Sequence, residues 1–185
     1  MAQGSHETEI KLALPDPKTA RRLLRAAGFR VSRPRVFEAN TVFDTPGQSL
    51  RRAANLLRVR EAGGTATVTY KGRPLPGRHK SREELELQVA DAAAMAGIFA
   101  RLGFHPASRY EKYRTEFRQP DRAGVAMLDE TPIGVFLELE GTAPWIDRTA
   151  RHLGFQETDY ITASYARLYL DWCGRRGRKP TNMVF

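Results

Sequence analysis

Charged and apolar residues alternate in a short segment near the N-terminus, residues 6–12, which reads H-E-T-E-I-K-L. Because successive side chains of a β-strand point to opposite faces, Glu7, Glu9 and Lys11 share one face of the predicted strand. The opposite face carries Ile10 and Leu12 and is suited to a hydrophobic core. By itself, this pattern is also typical of a strand whose charged face meets water.

The same alternation recurs along the chain and predicts seven further strands. Together with the first strand, they cover residues 6–12, 36–43, 55–61, 65–71, 80–90, 110–118, 124–130 and 135–141. Turn-forming sequences such as Gly63-Gly64 and Asp44-Thr45-Pro46-Gly47 separate several of them. Eight antiparallel strands are enough to close a barrel around a small ligand. The sequence therefore predicts an α+β fold built on an eight-stranded antiparallel β-barrel with helices packed outside.

Three predicted helices share one pattern, because each ends in Gly-Phe, at residues 28–29, 103–104 and 154–155. Asp16 and Asp91 stand at the N-cap positions of the first two. Both of these helices lead into a predicted strand, which indicates a loose internal duplication. A fourth helix is predicted near residues 164–172. We assign residues 6–173 to one domain, residues 1–5 to a disordered or expression-derived N-terminus, and residues 174–185 to a basic flexible tail with little to pack.

The composition favours an anionic partner. The 185 residues carry a formal net charge of +9 and have a pI of about 10.1, which suits nucleic acid, an acidic membrane surface or phosphorylated small molecules. No apolar run approaches the ~20 residues of a membrane span, and the N-terminus lacks the pattern of a signal peptide. The single cysteine, Cys173, excludes an internal disulfide and fits a reducing cytoplasm, the location that we expect.

The charged faces of the strands group like charges in line. Basic side chains share strand faces at Arg58 and Arg60 and at Lys112 and Arg114, with Lys71 and Arg82 on other strands. Acidic side chains share strand faces in three pairs, Glu7 with Glu9, Glu84 with Glu86, and Glu138 with Glu140, and Asp129 lies on another strand. An open sheet with a solvated charged face is one interpretation. A surface that binds phosphates and divalent cations explains the grouping better, because like charges in line repel each other.

Nine short sequence words, in order from residue 7 to about residue 170, resemble those of the CYTH superfamily, the triphosphate tunnel metalloenzymes. The words are E-T-E-I-K, N-T-V-F-D-T-P, L-L-R-V-R, T-Y-K-G, R-E-E-L-E, Y-E-K-Y-R, L-D-E-T-P-I-G, F-L-E-L-E and S-Y-A-R-L. Within the superfamily, the chain is most similar to bacterial proteins described as class IV adenylate cyclase-like or thiamine-triphosphatase-like. The resemblance implies a barrel whose lumen is a charged tunnel.

The resemblance also implies roles for individual residues. Glu7, Glu9, Glu138 and Glu140 would hold a catalytic Mg²⁺ or Mn²⁺, with Asp129, Glu84 and Glu86 assisting or holding a second ion. The triphosphate would be bound by Lys11, Arg58, Arg60, Lys71, Lys112 and Arg114, with Arg82 at the margin. These residue types suit the roles, because hard cations prefer carboxylate oxygens and arginine matches phosphate oxygens in pairs. Tyr165 either closes the tunnel or packs a helix.

The leading hypothesis is a metal-dependent triphosphatase acting on inorganic triphosphate, ATP or thiamine triphosphate, with Glu7, Glu9, Lys11, Glu138 and Glu140 at the catalytic centre. Class IV-type adenylate cyclase activity, which converts ATP to cyclic AMP and pyrophosphate, is the alternative on the same fold. A non-catalytic module that binds polyphosphate or nucleic acid is the alternative from another class. A plain polyanion binder gains nothing from carboxylates that face its ligand, so nucleic acid is the less favoured partner. The oligomeric state is left open.

Overall fold

The computed structural model describes residues 5–120 and 123–185, and the predicted N-terminal segment 1–5 lies outside them except for the backbone of Ser5. The described part of the chain holds eight β-strands and five α-helices. The strands are β1 Ser5–Leu14, β2 Arg30–Asp44, β3 Leu56–Ala62, β4 Thr65–Lys71, β5 Lys80–Val89, β6 His105–Arg118, β7 Gly124–Thr131 and β8 Gly134–Gly141. The helices are α1 Pro17–Ala26, α2 Ser49–Arg52, α3 Ala92–Arg101, α4 Ala143–His152 and α5 Tyr165–Arg175.

All eight strands pair in an antiparallel manner and close into one barrel in the order β1-β5-β4-β3-β2-β6-β7-β8. If β1, β2, β3 and β4 are exchanged with β5, β6, β7 and β8 respectively, every strand keeps the same neighbours around the closed barrel. In addition, α1 follows β1 as α3 follows β5. The predicted barrel is confirmed, and its topology has the twofold repeat that the helix pattern indicated.

The main core lies outside the barrel, between its apolar outer face and two helices. Ile10 and Leu12 of β1 are fully buried there against Leu24 of α1 and Ile146 of α4. A smaller cluster beneath α3 contains Phe43, Val59 and Phe99. Because the apolar sides of the strands face the helices, their charged sides face inward.

Two strands begin earlier than the alternation predicts. β2 starts at Arg30 rather than at residue 36, and β6 starts at His105 rather than at residue 110. The pairing of these strands has register shifts between Val31 and Arg33, between Arg33 and Val36, and between Val42 and Phe43. A bulge interrupts the two-residue period, so the extensions carry no regular alternation that the sequence could show.

The end of the chain is packed more specifically than predicted. We name residues 177–185, which follow α5, the C-terminal strap. Met183 is only 3% exposed and pairs with β6, where its N–H donates to the Arg109 carbonyl (3.0 Å) and its carbonyl accepts from Glu111 N–H (2.8 Å). The apolar side chain of Met183 packs in a cluster with Tyr165 and Phe136. None of the helices in the described part of the chain has the length and apolar character to cross a membrane.

A charged tunnel as the candidate active site

Closure of the barrel turns the charged face of each strand into the wall of a tunnel. The open-sheet interpretation is therefore wrong, because the sheet closes on itself. Many of these charged side chains are buried. They are Glu9, Lys11, Glu38, Arg58, Lys71, Lys80, Arg82, Lys112, Arg114, Asp129 and Glu138. Buried charges need partners, and the tunnel supplies them across neighbouring strands.

Lys11 joins two carboxylates at the β1–β8 side of the tunnel. Its ammonium nitrogen lies 3.1 Å from an oxygen of Glu9 and 3.1 Å from an oxygen of Glu138. Burial alone lowers the pKa of Lys11, but the two carboxylates outweigh it and raise the pKa above its ordinary value. Burial likewise raises the pKa of Glu9, and Lys11 with Lys80 outweighs it, so the net shift is downward. The ammonium of Lys11 and the carboxylates of Glu9 and Glu138 are therefore ionised at neutral pH.

Lys71 of β4 likewise joins two carboxylates, one on β1 and one on β5. Its ammonium nitrogen lies 2.5 Å from a Glu7 oxygen and 3.0 Å from a Glu84 oxygen. Arg82 approaches the same Glu7 oxygen at 3.8 Å. Opposite charges from another strand thus offset part of the repulsion that the like charges along one strand indicated.

Asp129 is enclosed by its partners. Its oxygens accept hydrogen bonds from Lys112 (2.8 Å), from Arg114 Nε (2.7 Å) and Nη2 (2.6 Å), and from the Tyr165 hydroxyl (2.7 Å). The side chain of Asp129 is fully buried. Arg114 also makes a short contact with Glu138. Asp129 therefore fixes the positions of two basic side chains and of the first residue of α5.

Two arginines of β3 share one acidic partner. Nη2 of Arg58 lies 3.4 Å, and Nη2 of Arg60 3.3 Å, from the same oxygen of Glu86. Arg58 also donates to the Tyr110 hydroxyl (3.0 Å) and to the Thr69 hydroxyl (2.9 Å). Glu86 remains 40% exposed, so these arginines lie beside a part of the tunnel that is open to solvent.

The tunnel encloses one large cavity of about 1190 Å³. Thirteen of the fourteen side chains that the sequence proposed for the site line it. They are Glu7, Glu9, Lys11, Arg58, Arg60, Lys71, Arg82, Glu84, Glu86, Lys112, Arg114, Glu138 and Glu140. Asp129 does not line the cavity and lies behind Lys112 and Arg114.

Sequence reasoning missed Lys80 and Tyr110, which line the cavity, and Glu38, which is buried beside Lys112. Lys80 donates to Glu9 at 2.6 Å, and burial lowers its pKa to about 8 against the raising effect of Glu9. A signal existed, because Lys80 lies two residues before Arg82 and so shares its strand face. Glu38 lies 3.7 Å from Lys112; burial raises its pKa, but Lys112 and the nearby arginines lower it to about 2.

Tyr165 packs in a hydrophobic cluster, one of the two roles considered for it, and it also lines the cavity. It is buried in an aromatic cluster with Phe136, and its hydroxyl donates to Asp129, which lies behind Lys112 and Arg114. The ammonium groups of Lys11 and Lys112 each lie 5.2 Å from the centre of its ring. Tyr165 thereby connects α5 to the basic residues of the tunnel.

A closed eight-stranded barrel with paired acids and bases along its lumen has the architecture of a tunnel protein. The CYTH domain matches residues 5–165, and the chain belongs to the CYTH domain family. A protein of Methanocaldococcus jannaschii, provisionally named an adenylate cyclase, is 31% identical over 134 residues, which are 72% of this chain and 75% of that protein.

Solved structures show the same fold. A Vibrio parahaemolyticus protein, provisionally named an adenylate cyclase, superposes with a TM-score of 0.75 at 19% identity, over 90% of this chain and 98% of that chain. A Hippeastrum protein, provisionally named an adenylyl cyclase and described as having a dominant triphosphatase activity, has a TM-score of 0.65 at 21% identity, over 94% of this chain and 97% of that chain.

Divalent metals are the general cofactors of CYTH tunnel proteins, so the donor set must be tested against such an ion. Among the described residues, no three His, Cys, Asp or Glu side chains are already arranged as a metal site. The chemistry of the donors nevertheless fits. Burial, followed by the charge of Glu7, raises the pKa of Glu140 to about 7. Burial also raises the pKa of Glu84 to about 7. This excess of acidic oxygens is the environment that a hard divalent cation prefers.

Proposed function

We propose that the protein is a divalent-metal-dependent hydrolase that cleaves a triphosphate bound inside the barrel. The observation that carries this proposal is the cavity whose wall combines twelve lysine and arginine side chains with eight carboxylates. The basic side chains match the negative charge of a triphosphate. The carboxylates would repel it unless a cation lies between them and the phosphates.

The basic residues bind and orient the triphosphate. In the structure, Lys11, Lys71 and Arg58 are held by carboxylates. Phosphate oxygens offer the same charge and the same geometry, and arginine can meet two of them at once. The ion pairs therefore keep the bases ionised and positioned before the substrate enters. Arg60, Arg82, Lys112 and Arg114 extend the same set around the tunnel.

The acidic residues divide into two groups. Glu7, Glu9, Glu138 and Glu140 would hold Mg²⁺ or Mn²⁺, and Glu84 and Glu86 would assist. The ion would supply Lewis-acid stabilisation of the charge on the phosphate oxygens. We assign Asp129 to a different role, because its oxygens already accept four hydrogen bonds from basic and tyrosine side chains. It is a positioning residue for Lys112 and Arg114.

The reaction is phosphoryl transfer to water. A water molecule attacks the terminal phosphorus, the bond from that phosphorus to its bridging oxygen breaks, and diphosphate or a diphosphate ester leaves. A carboxylate of the wall accepts the proton that the water loses. Negative charge develops on the bridging oxygen, and the ordered lysine and arginine donors stabilise it without having to reorganise.

The second candidate is adenylate cyclase activity on ATP, which the name of the 31% identical relative favours. In that reaction the ribose 3′-hydroxyl attacks the α-phosphorus, a cyclic ester forms and pyrophosphate leaves. The same bases would neutralise the leaving pyrophosphate. The triphosphatase activity named for the Hippeastrum protein supports the hydrolase as the first choice.

One assay separates the candidates. Inorganic triphosphate, ATP and thiamine triphosphate are each incubated with Mg²⁺, Mn²⁺ or EDTA, and the products are separated by chromatography. Release of inorganic phosphate that requires the metal supports the hydrolase. Cyclic AMP with pyrophosphate would make the protein a cyclase. Tight binding of triphosphate without any turnover would leave only a binding module.

A further inference from the structure

The outer face of the barrel is covered on one half of the twofold repeat and open on the other. In this repeat β1 and β8 correspond to β5 and β4, and the E-T-E-I of residues 7–10 corresponds to the E-L-E-L of residues 84–87. Ile10 is fully buried in a cluster with Ile146 of α4, the helix that follows β8. Its counterpart Leu87 is 68% exposed, and the chain after β4 forms a loop where α4 stands in the other half.

Helix α3 extends this open face. It corresponds to α1, since each of the two helices begins after an aspartate N-cap and ends before Gly-Phe. The exposed side of α1 carries basic residues, whereas the corresponding exposed positions of α3 carry no charge. The pairs are Lys18 and Ala93, Arg22 and Gly97, and Arg25 and Ala100. On α3, Ile98 is 52% and Leu102 66% exposed, although a helix that is apolar on every side is typically buried.

The exposed strand and the exposed helix form one surface. Strand pairing places Leu87 opposite Val68, and Val68 packs in the cluster beneath α3, so Leu87 adjoins the helix. We name the surface formed by Leu87, Gly97, Ile98 and Leu102 the α3 face. A contiguous exposed apolar surface of this kind marks a protein interaction site.

The distribution of charge indicates which partner this face fits. The chain has a formal net charge of +9, so two copies repel each other wherever their basic surfaces meet. Residues 83–100 contain no lysine and no arginine. Asp91 and Arg101 stand at opposite ends of α3, both are exposed, and neither forms an ion pair with another residue that the structure describes. The face is therefore one through which a second copy can approach without repulsion.

We propose that two copies of the chain form a twofold-symmetric dimer through the α3 face, with the two α3 helices antiparallel. In a twofold interface each contact occurs twice. When the helices cross at Ala96, Asp91 of each copy meets Arg101 of the other, and Ile98 of each copy lies over Ala94 of the other. The small residues of α3 let the two backbones approach closely. The interface uses none of the residues assigned to the triphosphate site, so it does not depend on the proposed function.

Sedimentation equilibrium over a range of protein concentrations measures the Kd of the dimer. We expect the unaltered protein to approach twice the 20.8 kDa mass of one chain. Ile98→Glu should raise the Kd at least about 100-fold, because each copy would bury a charge in an apolar contact. Arg101→Glu should raise the Kd about tenfold, because it brings a like charge to Asp91. Arg22→Glu makes the same change of charge on the exposed side of α1 and should leave the Kd unchanged.

A charge exchange tests the antiparallel geometry. Asp91→Lys alone loses the N-cap of α3 and brings a like charge to Arg101. Asp91→Lys combined with Arg101→Glu restores opposite charges across the interface. We expect the Kd of the double variant to be lower than that of either single variant. A double variant that dimerises no better than Asp91→Lys would refute the antiparallel arrangement, since loss of the N-cap would then explain the whole effect.

Two results would overturn the dimer itself. One is a monomeric mass for the unaltered protein at every concentration, which would leave the α3 face to a different protein. The other is a dimer that Ile98→Glu leaves intact. Far-UV circular dichroism checks that each variant is folded, and Leu102→Glu repeats the measurement if Ile98→Glu is not.

Discussion

Lys11 and Glu138 form an ion pair across neighbouring strands, with 3.1 Å between the ammonium nitrogen and the carboxylate oxygen and with side-chain exposures of only 2% and 6%. The same ammonium lies equally close to Glu9. One lysine therefore holds together two carboxylates that we assign to the metal. It also separates two like charges that would otherwise face each other in a buried place.

Replacement of this lysine should disable the site. Lys11→Met keeps the length of the side chain but removes its charge, so Glu9 and Glu138 lose a shared partner. We expect kcat/KM for triphosphate to fall about 10²–10³-fold, the cost of removing one preorganised electrostatic group. We also expect the free energy of unfolding to fall by about 3 kcal/mol, because two buried carboxylates each lose one of their positive partners.

Steady-state kinetics and chemical denaturation measure the two effects. Lys18→Met is the control, since Lys18 is an exposed residue of α1. Full activity in Lys11→Met would show that the substrate is not bound in the tunnel.

The metal assignment predicts a shift in metal dependence. Glu140 forms no ion pair with any residue that the structure describes, and burial raises its pKa, so it is the carboxylate most available to a cation. In Glu140→Gln, we expect the Mg²⁺ concentration for half-maximal activity to rise at least about tenfold, since one charged oxygen ligand is lost. Metal titration of the initial rate gives this value, and Glu61→Gln on the exposed outer side of β3 should leave it unchanged. If the half-saturating Mg²⁺ concentration were the same in Glu140→Gln and Glu61→Gln, Glu140 would not be a metal ligand.

Asp129 should behave as a positioning residue. Asp129→Asn leaves Lys112 and Arg114 without their shared buried anion, so we expect the free energy of unfolding to fall by about 3–5 kcal/mol. The KM for triphosphate should rise because both bases lose their orientation. The half-saturating Mg²⁺ concentration should stay within twofold of that of the unaltered protein. A large rise in that concentration would instead make Asp129 a metal ligand.

Much of the fold and the site follows from strand periodicity. Alternation along β1, β3 and β8 gave the correct lumen faces, because these strands are regular and each has one apolar side. The bulged start of β2 and the packing of Met183 were not predictable, since neither has a local sequence signal. Lys80 was missed although it shares a strand face with Arg82, whereas Glu38 lies on β2, where no residue was selected. Ion pairs between strands, such as those of Lys71 with Glu7 and Glu84, depend on the order in which the strands pair, and one sequence does not contain that order.

Asp44 gives a prediction for the dependence of stability on pH. Its carboxylate accepts backbone N–H bonds from Thr45 (2.8 Å), Leu50 (3.0 Å) and Arg51 (2.9 Å), and so holds the turn into α2. Burial raises the pKa of Asp44, but these bonds outweigh it and lower the pKa below the ordinary value of 3.8. A carboxyl with a lowered pKa stabilises the fold above its unfolded pKa, and this contribution is lost as the pH falls through the folded pKa.

Asp44→Asn should therefore reduce the free energy of unfolding by about 1–2 kcal/mol at pH 7, since the amide offers one acceptor in place of two charged oxygens. The difference between the two proteins should shrink below about pH 4, where the unfolded chain takes up the proton. Urea denaturation at pH 7, 5 and 3 measures it. A difference that is the same at all three values would contradict the role of the Asp44 charge.

The central claim is that a metal and a triphosphate meet inside the barrel. The most direct test is anomalous diffraction at the manganese edge, from crystals grown with Mn²⁺ and a non-hydrolysable triphosphate analogue. We predict a manganese peak among Glu7, Glu9, Glu138 and Glu140, with phosphate density reached by Arg58, Lys71 and Arg114. Manganese and phosphate found only on the outer surface, with the tunnel ion pairs unchanged, would contradict the account.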